Sequence, residues 1–215
     1  MFFLVRAAII VVCCQSLGAW GLLAYFVADQ VISKLIVCCL GLLEMNSMDQ
    51  SCWYDNESNR VNIMALQIFT HCKTETLTEV IQRRMVQKFK RMRCSVTKVL
   101  DRYYFKELGS AELERQLRGA VVIRDDIKSM KEISGLISEE QNKTFPDGEL
   151  LWKCWICTNV DGEVICVFKV HHCVGDGLGL SVMFASVQDE KYKPEQFIQT
   201  SAKLTFCQTV VMRLL

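Results

Sequence analysis

Val170-His171-His172-Cys173-Val174-Gly175-Asp176-Gly177 is the stretch of this chain on which the predicted fold depends. It places two of the three histidines, an acid and two glycines close together. Residues 163–170 before the loop are mostly β-branched or apolar, and residues 178–185 after it can form a helix. The pattern predicts a strand, a tight polar loop and a helix that begins directly after the loop.

The alternation of side chains along the strand separates the two histidines, because successive side chains point to opposite faces. The face that leads to His172 is apolar throughout, whereas the face that leads to His171 carries the charge of Lys169. An imidazole, with an unperturbed pKa of about 6.5, is well suited to accept a proton near neutral pH. We therefore predict that His172 is a general base. The alternative is that both histidines simply end a strand with their ring nitrogens hydrogen-bonded. The apolar face consists of Val164, Cys166, Phe168 and Val170.

Length and charge limit the class of protein. A chain of 215 residues can form one domain with a sizeable core plus a membrane segment. The net charge of +1 gives no electrostatic reason to expect a nucleic-acid partner. With only 2 prolines and 11 glycines, long disordered linkers are not expected.

Twelve cysteines suggest a disulfide framework at first, but seven of them lie in the N-terminal apolar run or in predicted strands, where cysteine acts as a small hydrophobic residue. These seven are Cys13, Cys14, Cys38, Cys39, Cys154, Cys157 and Cys166. Cys154-Trp155-Ile156-Cys157 has the spacing of a metal or redox pair, yet it has no second pair and lies within a strand. We predict reduced thiols on the cytosolic side of a membrane, with no metal and no permanently bound cofactor.

The N-terminus is apolar enough to enter a bilayer. Residues 7–27 carry no charge, and a helix needs about 20 such residues to cross the hydrocarbon core. We predict a transmembrane helix that ends at Asp29-Gln30, followed by an apolar run over residues 31–43. That run is interrupted by Lys34 and is re-entrant, interfacial or a continuation of the helix. A secretory signal peptide is the alternative. The change in composition at Glu44 divides a membrane anchor, residues 1–44, from a domain over residues 45–215.

Periodicity within the domain predicts a mixed α/β architecture, an α+β two-layer sandwich with a mixed sheet. The helix predicted over residues 76–92 has a basic face. Its basic side chains either contact membrane headgroups or coenzyme A phosphates, or form a solvated face. The apolar end of the chain, residues 197–215, is expected to pack against something. The elements are a turn capped by Asn46 or Ser47, strands over 61–69, 96–105 and 121–123, helices over 76–92 and 125–140, a charged loop with helical turns over 106–118, and a hairpin of 150–157 and 163–170.

The residues His171 to Gly177 match the HHxxxDG motif of the coenzyme-A-dependent acyltransferase superfamily, whose fold resembles that of chloramphenicol acetyltransferase. Two flanking segments resemble the wax ester synthase/diacylglycerol acyltransferase family. Residues 45–50 are similar to its S-P-x-D segment, with Met48 where proline is usual, and Leu150-Leu151-Trp152 is similar to its P-L-W segment without the proline. The order of elements between the segments also agrees, so that the resemblance covers roughly residues 45–186.

The resemblance implies transfer of a fatty acyl group from acyl-CoA to the hydroxyl of a long-chain alcohol or diacylglycerol. His172 would take the proton from that hydroxyl, with His171 in a supporting role. Asp176 would order the loop through an ion pair, and Gly177 would permit close packing. The expected location is a membrane, that of the endoplasmic reticulum, with the lobe facing the cytosol.

Members of that family resemble two similar lobes with a substrate tunnel between them, and the resemblance here covers the first lobe only. A second lobe or an oligomer partner is therefore an expected partner. Two other readings are a non-catalytic, membrane-anchored lipid-binding or interaction module, and an acyltransferase that acts on soluble acceptors, as condensation domains do. The hydrophobic N-terminus, Asp49 and Trp152 argue against soluble acceptors.

Overall fold

A computed structural model describes residues 2–54, 61–69 and 72–188, which form a mixed α/β fold with two β-sheets. The expected mixed fold is confirmed. The helices are α1 Phe2–Leu17, α2 Ala19–Leu40, α3 Ser47–Trp53, α4 Thr74–Val80, α5 Ser110–Ala120, α6 Met130–Glu140 and α7 Gly177–Ala185. The strands are β1 Leu43–Glu44, β2 Asn62–Phe69, β3 Cys94–Val99, β4 Arg102–Glu107, β5 Val121–Arg124, β6 Trp152–Val160 and β7 Glu163–His171.

The larger sheet carries the histidine stretch in its interior. Its strand order is β2-β7-β6-β5, with β5 parallel to β6 and the other pairs antiparallel. The predicted β6–β7 hairpin is confirmed. It turns at Asp161 and Gly162, whose φ angles of 51° and 89° suit a two-residue hairpin turn. Neighbours on both sides fix β7, so the residue that ends it has a well-defined position.

Both faces of this sheet are covered, as the apolar pattern of the two central strands predicts. One face, which includes Cys166 and Phe168, belongs to the main core with α7. The other face, which includes Val167, packs against Ile133 and Leu136 of α6.

The segment over residues 96–105 is a hairpin and not the single strand that was predicted. Leu100 and Asp101 both have positive φ, at 47° and 65°, and turn the chain between β3 and β4. The prediction was wrong because neither residue is the glycine or asparagine that usually marks such a turn. β4 also pairs with the short β1, which gives a small antiparallel sheet in the order β1-β4-β3.

The predicted helix over residues 76–92 is broken into shorter pieces. After α4 the chain widens into a π-helical turn over Ile81–Val86, in which the Gln87 amide donates to the Gln82 carbonyl at 3.0 Å. The wider turn buries Val86 together with Ile81 and Met85, whereas a regular α-helix would place Val86 away from the face that Ile81 and Met85 share. A 3₁₀ turn, Lys90–Arg93, then leads into β3.

Two further boundaries differ from the sequence prediction. The helix expected from Asp125 begins at Met130, because Ser129 caps it and Glu132 completes a capping box. The charged segment over 106–118, which was expected to be a loop with helical turns, contains the regular helix α5. The predicted polar loop at residues 55–59, most of the charged loop at 188–194 and the apolar end at 197–215 lie outside the described residues.

The N-terminal helices differ from the predicted single span. The chain breaks at Gly18, with φ 57°, and α2 continues without interruption through Asp29 and Gln30. By length and composition α2 could cross a membrane, although signal sequences meet the same criteria. Asp29 and Lys34 do not break it because each pairs with a charged residue of the folded domain, Arg102 and Glu44 respectively.

Phe168 tests the packing of the central sheet. Its side chain is fully buried, with its ring centroid 5.0 Å from that of Phe184. We expect Phe168→Ala to lower the free energy of unfolding by about 3 to 5 kcal/mol, because a large cavity would replace the ring. Ile123→Ala, at a position that is 51% exposed on β5, should cost less than about 1 kcal/mol. Denaturant unfolding of both variants measures the difference, and equal losses would contradict the assigned packing.

Candidate active site

His172 lies where β7 ends and a 3₁₀ turn, His172–Val174, begins. Its backbone amide donates to the Val61 carbonyl at 2.9 Å, which ties the turn to the start of β2. Its ring is partly exposed, and Nδ1 lies 3.5 Å from Sγ of Cys52 on α3. Two residues that lie more than 100 positions earlier in the chain therefore hold His172, Cys52 through the ring and Val61 through the backbone.

His171 has the opposite environment, with only 2% of its surface exposed. Its ring packs against Trp53 at 5.2 Å and Phe145 at 6.3 Å between centroids. Its Nδ1 accepts the backbone N–H of Cys173 at 3.3 Å. The ring thus holds the turn that carries its neighbour, which is the geometry of a supporting residue.

The face alternation is confirmed along β7 but does not extend to His172. Cys166 and Phe168 face the main core, Val167 faces the second core, and Lys169 on that same side is buried beside Phe145. The strand ends at His171, so the turn and not strand geometry sets the direction of the next side chain.

Asp176 caps a helix, and the ion pair expected of it has no partner among the described residues. Its carboxylate accepts the backbone N–H of Gly179 at 2.7 Å, at the N-terminus of α7. An N-cap of this kind satisfies an amide that has no partner within the helix. Within the described part of the chain no cation lies within ion-pair distance of Asp176, so its ordering of the loop is local.

The close-packing role expected of Gly177 involves none of the described residues. A Cβ at Gly177 would meet no described heavy atom within 4 Å. At Gly175 a Cβ would meet Met183 at 3.5 Å and Leu180 at 3.6 Å, which is ordinary van der Waals contact. Steric packing against the described residues therefore does not explain either glycine of the motif.

Arg91 provides an ion pair at this site that was not predicted from the sequence. Its guanidinium binds both carboxylate oxygens of Asp49, at 3.1 and 2.7 Å, and donates to the carbonyls of Cys173 at 3.1 Å and Val174 at 3.4 Å. It also lies over the ring of Phe105. Bidentate pairing of this kind fixes geometry as well as charge. The basic face predicted for residues 76–92 thus contributes its half-buried Arg91 to this site.

Asp49 is held for this contact by its own helix. Asn46 and Asp49 form a reciprocal capping box at the start of α3, in which the Asp49 amide donates to Asn46 Oδ1 at 2.7 Å. The capping role was visible in the sequence. The partner on the far side of Asp49 was not, because Arg91 follows it by more than forty residues.

Two thiols beside the histidines remain protonated near neutral pH. Burial first, and the Asp49 carboxylate second, raise the pKa of Cys52 above its ordinary value of 9.0. The same two causes raise the pKa of Cys173 well above that value.

The C-x-x-C spacing does not build a metal site. Cys154 belongs to the main core and Cys157 to the second core, on opposite faces of β6. Burial raises the pKa of Cys157 to about 11. Across the described ranges no three potential ligands among His, Cys, Asp and Glu converge on one point.

Comparison with known proteins identifies the fold. The sequence matches no protein-family model, and no curated protein is significantly similar to it. The first condensation domain of the calcium-dependent antibiotic synthetase superposes with a TM-score of 0.55 and 12% identity, over 68% of this chain and 36% of that one. The starter condensation domain of rhizomide synthetase superposes with a TM-score of 0.53 and 11% identity, over 68% of this chain and 36% of that one. The wax ester synthase/diacylglycerol acyltransferase of Marinobacter aquaeolei superposes with a TM-score of 0.51 and 15% identity, over 65% of this chain and 37% of that one.

The chain therefore has an acyltransferase-type fold, which condensation domains and wax ester synthase share. It spans little more than a third of the length of these solved proteins. The identities are low enough that the likeness concerns the fold alone.

Loss of Arg91 should loosen the turn that carries His172. We expect Arg91→Met to lower the free energy of unfolding by about 2 to 3 kcal/mol, because it leaves the buried carboxylate of Asp49 without its cation. Amide exchange of residues 173–175 should become faster. Arg118→Met removes an exposed ion pair with Glu114 and should change stability by less than about 0.5 kcal/mol. Similar losses in both variants would show that the Arg91 contacts contribute little.

The raised pKa of Cys52 predicts slow alkylation. Because only the thiolate reacts, the rate of Cys52 modification by iodoacetamide should rise with a midpoint above pH 9 in the folded protein. Mass spectrometry of the peptide that contains Cys52, between pH 7 and 11, gives this midpoint. In denaturant it should return to the value of free cysteine. A midpoint below 9 in the folded state would mean that His172 withdraws the thiol proton.

Proposed function

We propose that this chain carries the base-bearing lobe of a membrane-associated O-acyltransferase, which transfers a fatty acyl group from acyl-CoA to a long-chain alcohol or diacylglycerol. The observation that carries the proposal is the position of His172. It is the partly exposed histidine of the pair, on an acyltransferase-type fold, at the end of a strand that is held on both sides.

The contact with Cys52 indicates which ring nitrogen acts. With Nδ1 facing Sγ, Nε2 is the nitrogen left for a substrate hydroxyl. For Nε2 to accept a proton, Nδ1 must carry the ring hydrogen and direct it to Sγ of the neutral thiol. In this tautomer Cys52 orients the base and takes no part in bond formation.

The reaction itself is a direct transfer. Nε2 of His172 removes the proton as the hydroxyl oxygen of the acceptor bonds to the thioester carbonyl carbon. The tetrahedral intermediate collapses with cleavage of the carbon–sulfur bond. The departing coenzyme A sulfur takes the proton from the imidazolium, and an ester and the free thiol of coenzyme A are released. Both substrates must be held together, and a second lobe or partner is proposed to supply the remaining walls of the site.

A lipid acceptor is supported by the N-terminal helices, whose exposed surface is apolar over most of its length. The fold alone does not discriminate between a lipid and a soluble acceptor, because it is similar both to condensation domains and to a wax ester synthase. The proposed location is the endoplasmic reticulum membrane, with the lobe in the cytosol. Reduced thiols throughout the described sheets support a reducing compartment.

Acyl transfer tests this proposal directly. Membranes that contain the chain are incubated with labelled acyl-CoA and either hexadecanol or diacylglycerol. We expect ester formation that falls by at least ~100-fold in His172→Gln, because general-base catalysis contributes about 10² to 10⁴.

His171→Asn is the matched control. Its amide oxygen can replace the buried Nδ1 as acceptor for the Cys173 amide, so most activity should remain. If the wild type forms no ester with either acceptor, even when it is co-expressed with candidate second lobes, the enzyme proposal fails. A non-catalytic module would then be favoured if labelled lipid still binds.

A further inference from the structure

The two N-terminal helices fold back on each other at Gly18. Gly18 has φ 57° and ψ −139°, a conformation that side chains other than hydrogen rarely adopt. α1 and α2 pack together, and Gly21 is buried beside the turn. Val5 of α1 and Ile32 of α2, at nearly equal distances from Gly18 along the chain, line the same cavity of 310 Å³. The legs are therefore antiparallel, with Gly18 at the tip.

The open end of this helical hairpin is fixed to the folded domain. Ser33 and Tyr104, both almost fully buried, share a hydrogen bond of 3.2 Å, and Asp29 pairs with Arg102 at the start of β4. Leu100, in the β3–β4 turn, lines the same cavity as Val5. The beginning of α1 and the second half of α2 thus both lie beside the small sheet.

Charge is distributed in agreement with this geometry. Residues 7–28 carry no charged side chain, and Gly18 lies near the middle of that segment. The exposed side chains of this segment near the tip are large and apolar. They include Val12, which is 59% exposed, Trp20, which is 77% exposed, and Leu23, which is 54% exposed. Such a surface requires an apolar environment. Protein–protein interfaces have a polar rim, whereas residues 7–28 carry no charge on either helix, which favours lipid over a protein partner.

The length of each leg decides how far it can reach. From Gly18 to Ala28 the helix rises by about 15 Å at 1.5 Å per residue. The hydrocarbon core of a bilayer is about 30 Å thick. A straight helix over residues 7–28 would span it, but the turn at Gly18 halves the reach of the uncharged segment.

We propose that α1 and α2 form a re-entrant hairpin that enters one leaflet only, with its tip near the bilayer midplane and the N-terminus on the same side of the membrane as the domain. The β3–β4 turn with Leu100 then lies at the lipid surface. This inference rests on the membrane attachment in the proposed function but not on its chemistry. It replaces a transmembrane anchor with a monotopic one and excludes cleavage of the segment as a signal peptide.

Two epitope tags on the full chain test the sidedness, one at the N-terminus and one in the Asp161–Gly162 turn of the β6–β7 hairpin. In sealed membrane vesicles both tags should be equally accessible to protease before detergent is added. Tags on opposite sides would overturn the proposal, as would loss of the N-terminal tag by cleavage. Failure of the chain to float with lipid vesicles would overturn it as well.

The depth of the tip is measured through Trp20. In vesicles that contain brominated lipids, bromine near the ends of the acyl chains should quench the fluorescence of Trp20 more than bromine near the headgroups. Trp20→Phe should abolish this difference, and Trp53→Phe should retain it. Stronger quenching from the headgroup positions would mean that the helices lie flat, and would overturn the proposal. Neither measurement requires acyl transfer. A chain that has this topology but forms no ester would therefore refute the enzyme proposal and leave the membrane topology intact.

Discussion

The bidentate pair of Arg91 with Asp49 connects the three parts of the chain that build the site. Asp49 stands in the first turn of α3, Arg91 in the 3₁₀ turn before β3, and the same guanidinium binds the carbonyls of Cys173 and Val174. Those carbonyls belong to the turn after β7, where the strand ladder no longer satisfies the backbone. One planar cation with several donors meets all of these acceptors, which a lysine with its point charge would not do in the same geometry.

With the turn held in this way, the two histidines have different roles. His171 is the last residue of the ladder, and its buried ring supports the backbone of Cys173. His172 is the first residue beyond the ladder, so its ring can reach α3 and remain partly open to solvent. Burial first, and the Asp49 carboxylate second, raise the pKa of the thiol beside each ring, that of Cys52 and that of Cys173.

The charged residues of this fold are used mainly for internal connections. Arg93 binds Glu107 and the carbonyls of Val86 and Gln87, which secures the irregular segment after α4. Asp29 and Lys34, which would oppose membrane insertion if unpaired, are neutralised by the domain beneath them. The apolar N-terminal helices and the polar site thereby belong to one connected structure.

The sequence by itself determined the central hairpin, the mixed fold, the capped start of α3 and the place of the histidine pair at a strand end, because alternation, turn chemistry and capping are local signals. Tertiary structure decided the rest. The π-helical turn after α4 arises from burial of adjacent Met85 and Val86, the Leu100–Asp101 turn lacks the usual residues, and Arg91 meets Asp49 only after folding. The helical break at Gly18 was missed for a related reason. A glycine within an apolar run has no local signal that distinguishes a kink from a straight helix, and only contacts with the domain select between them.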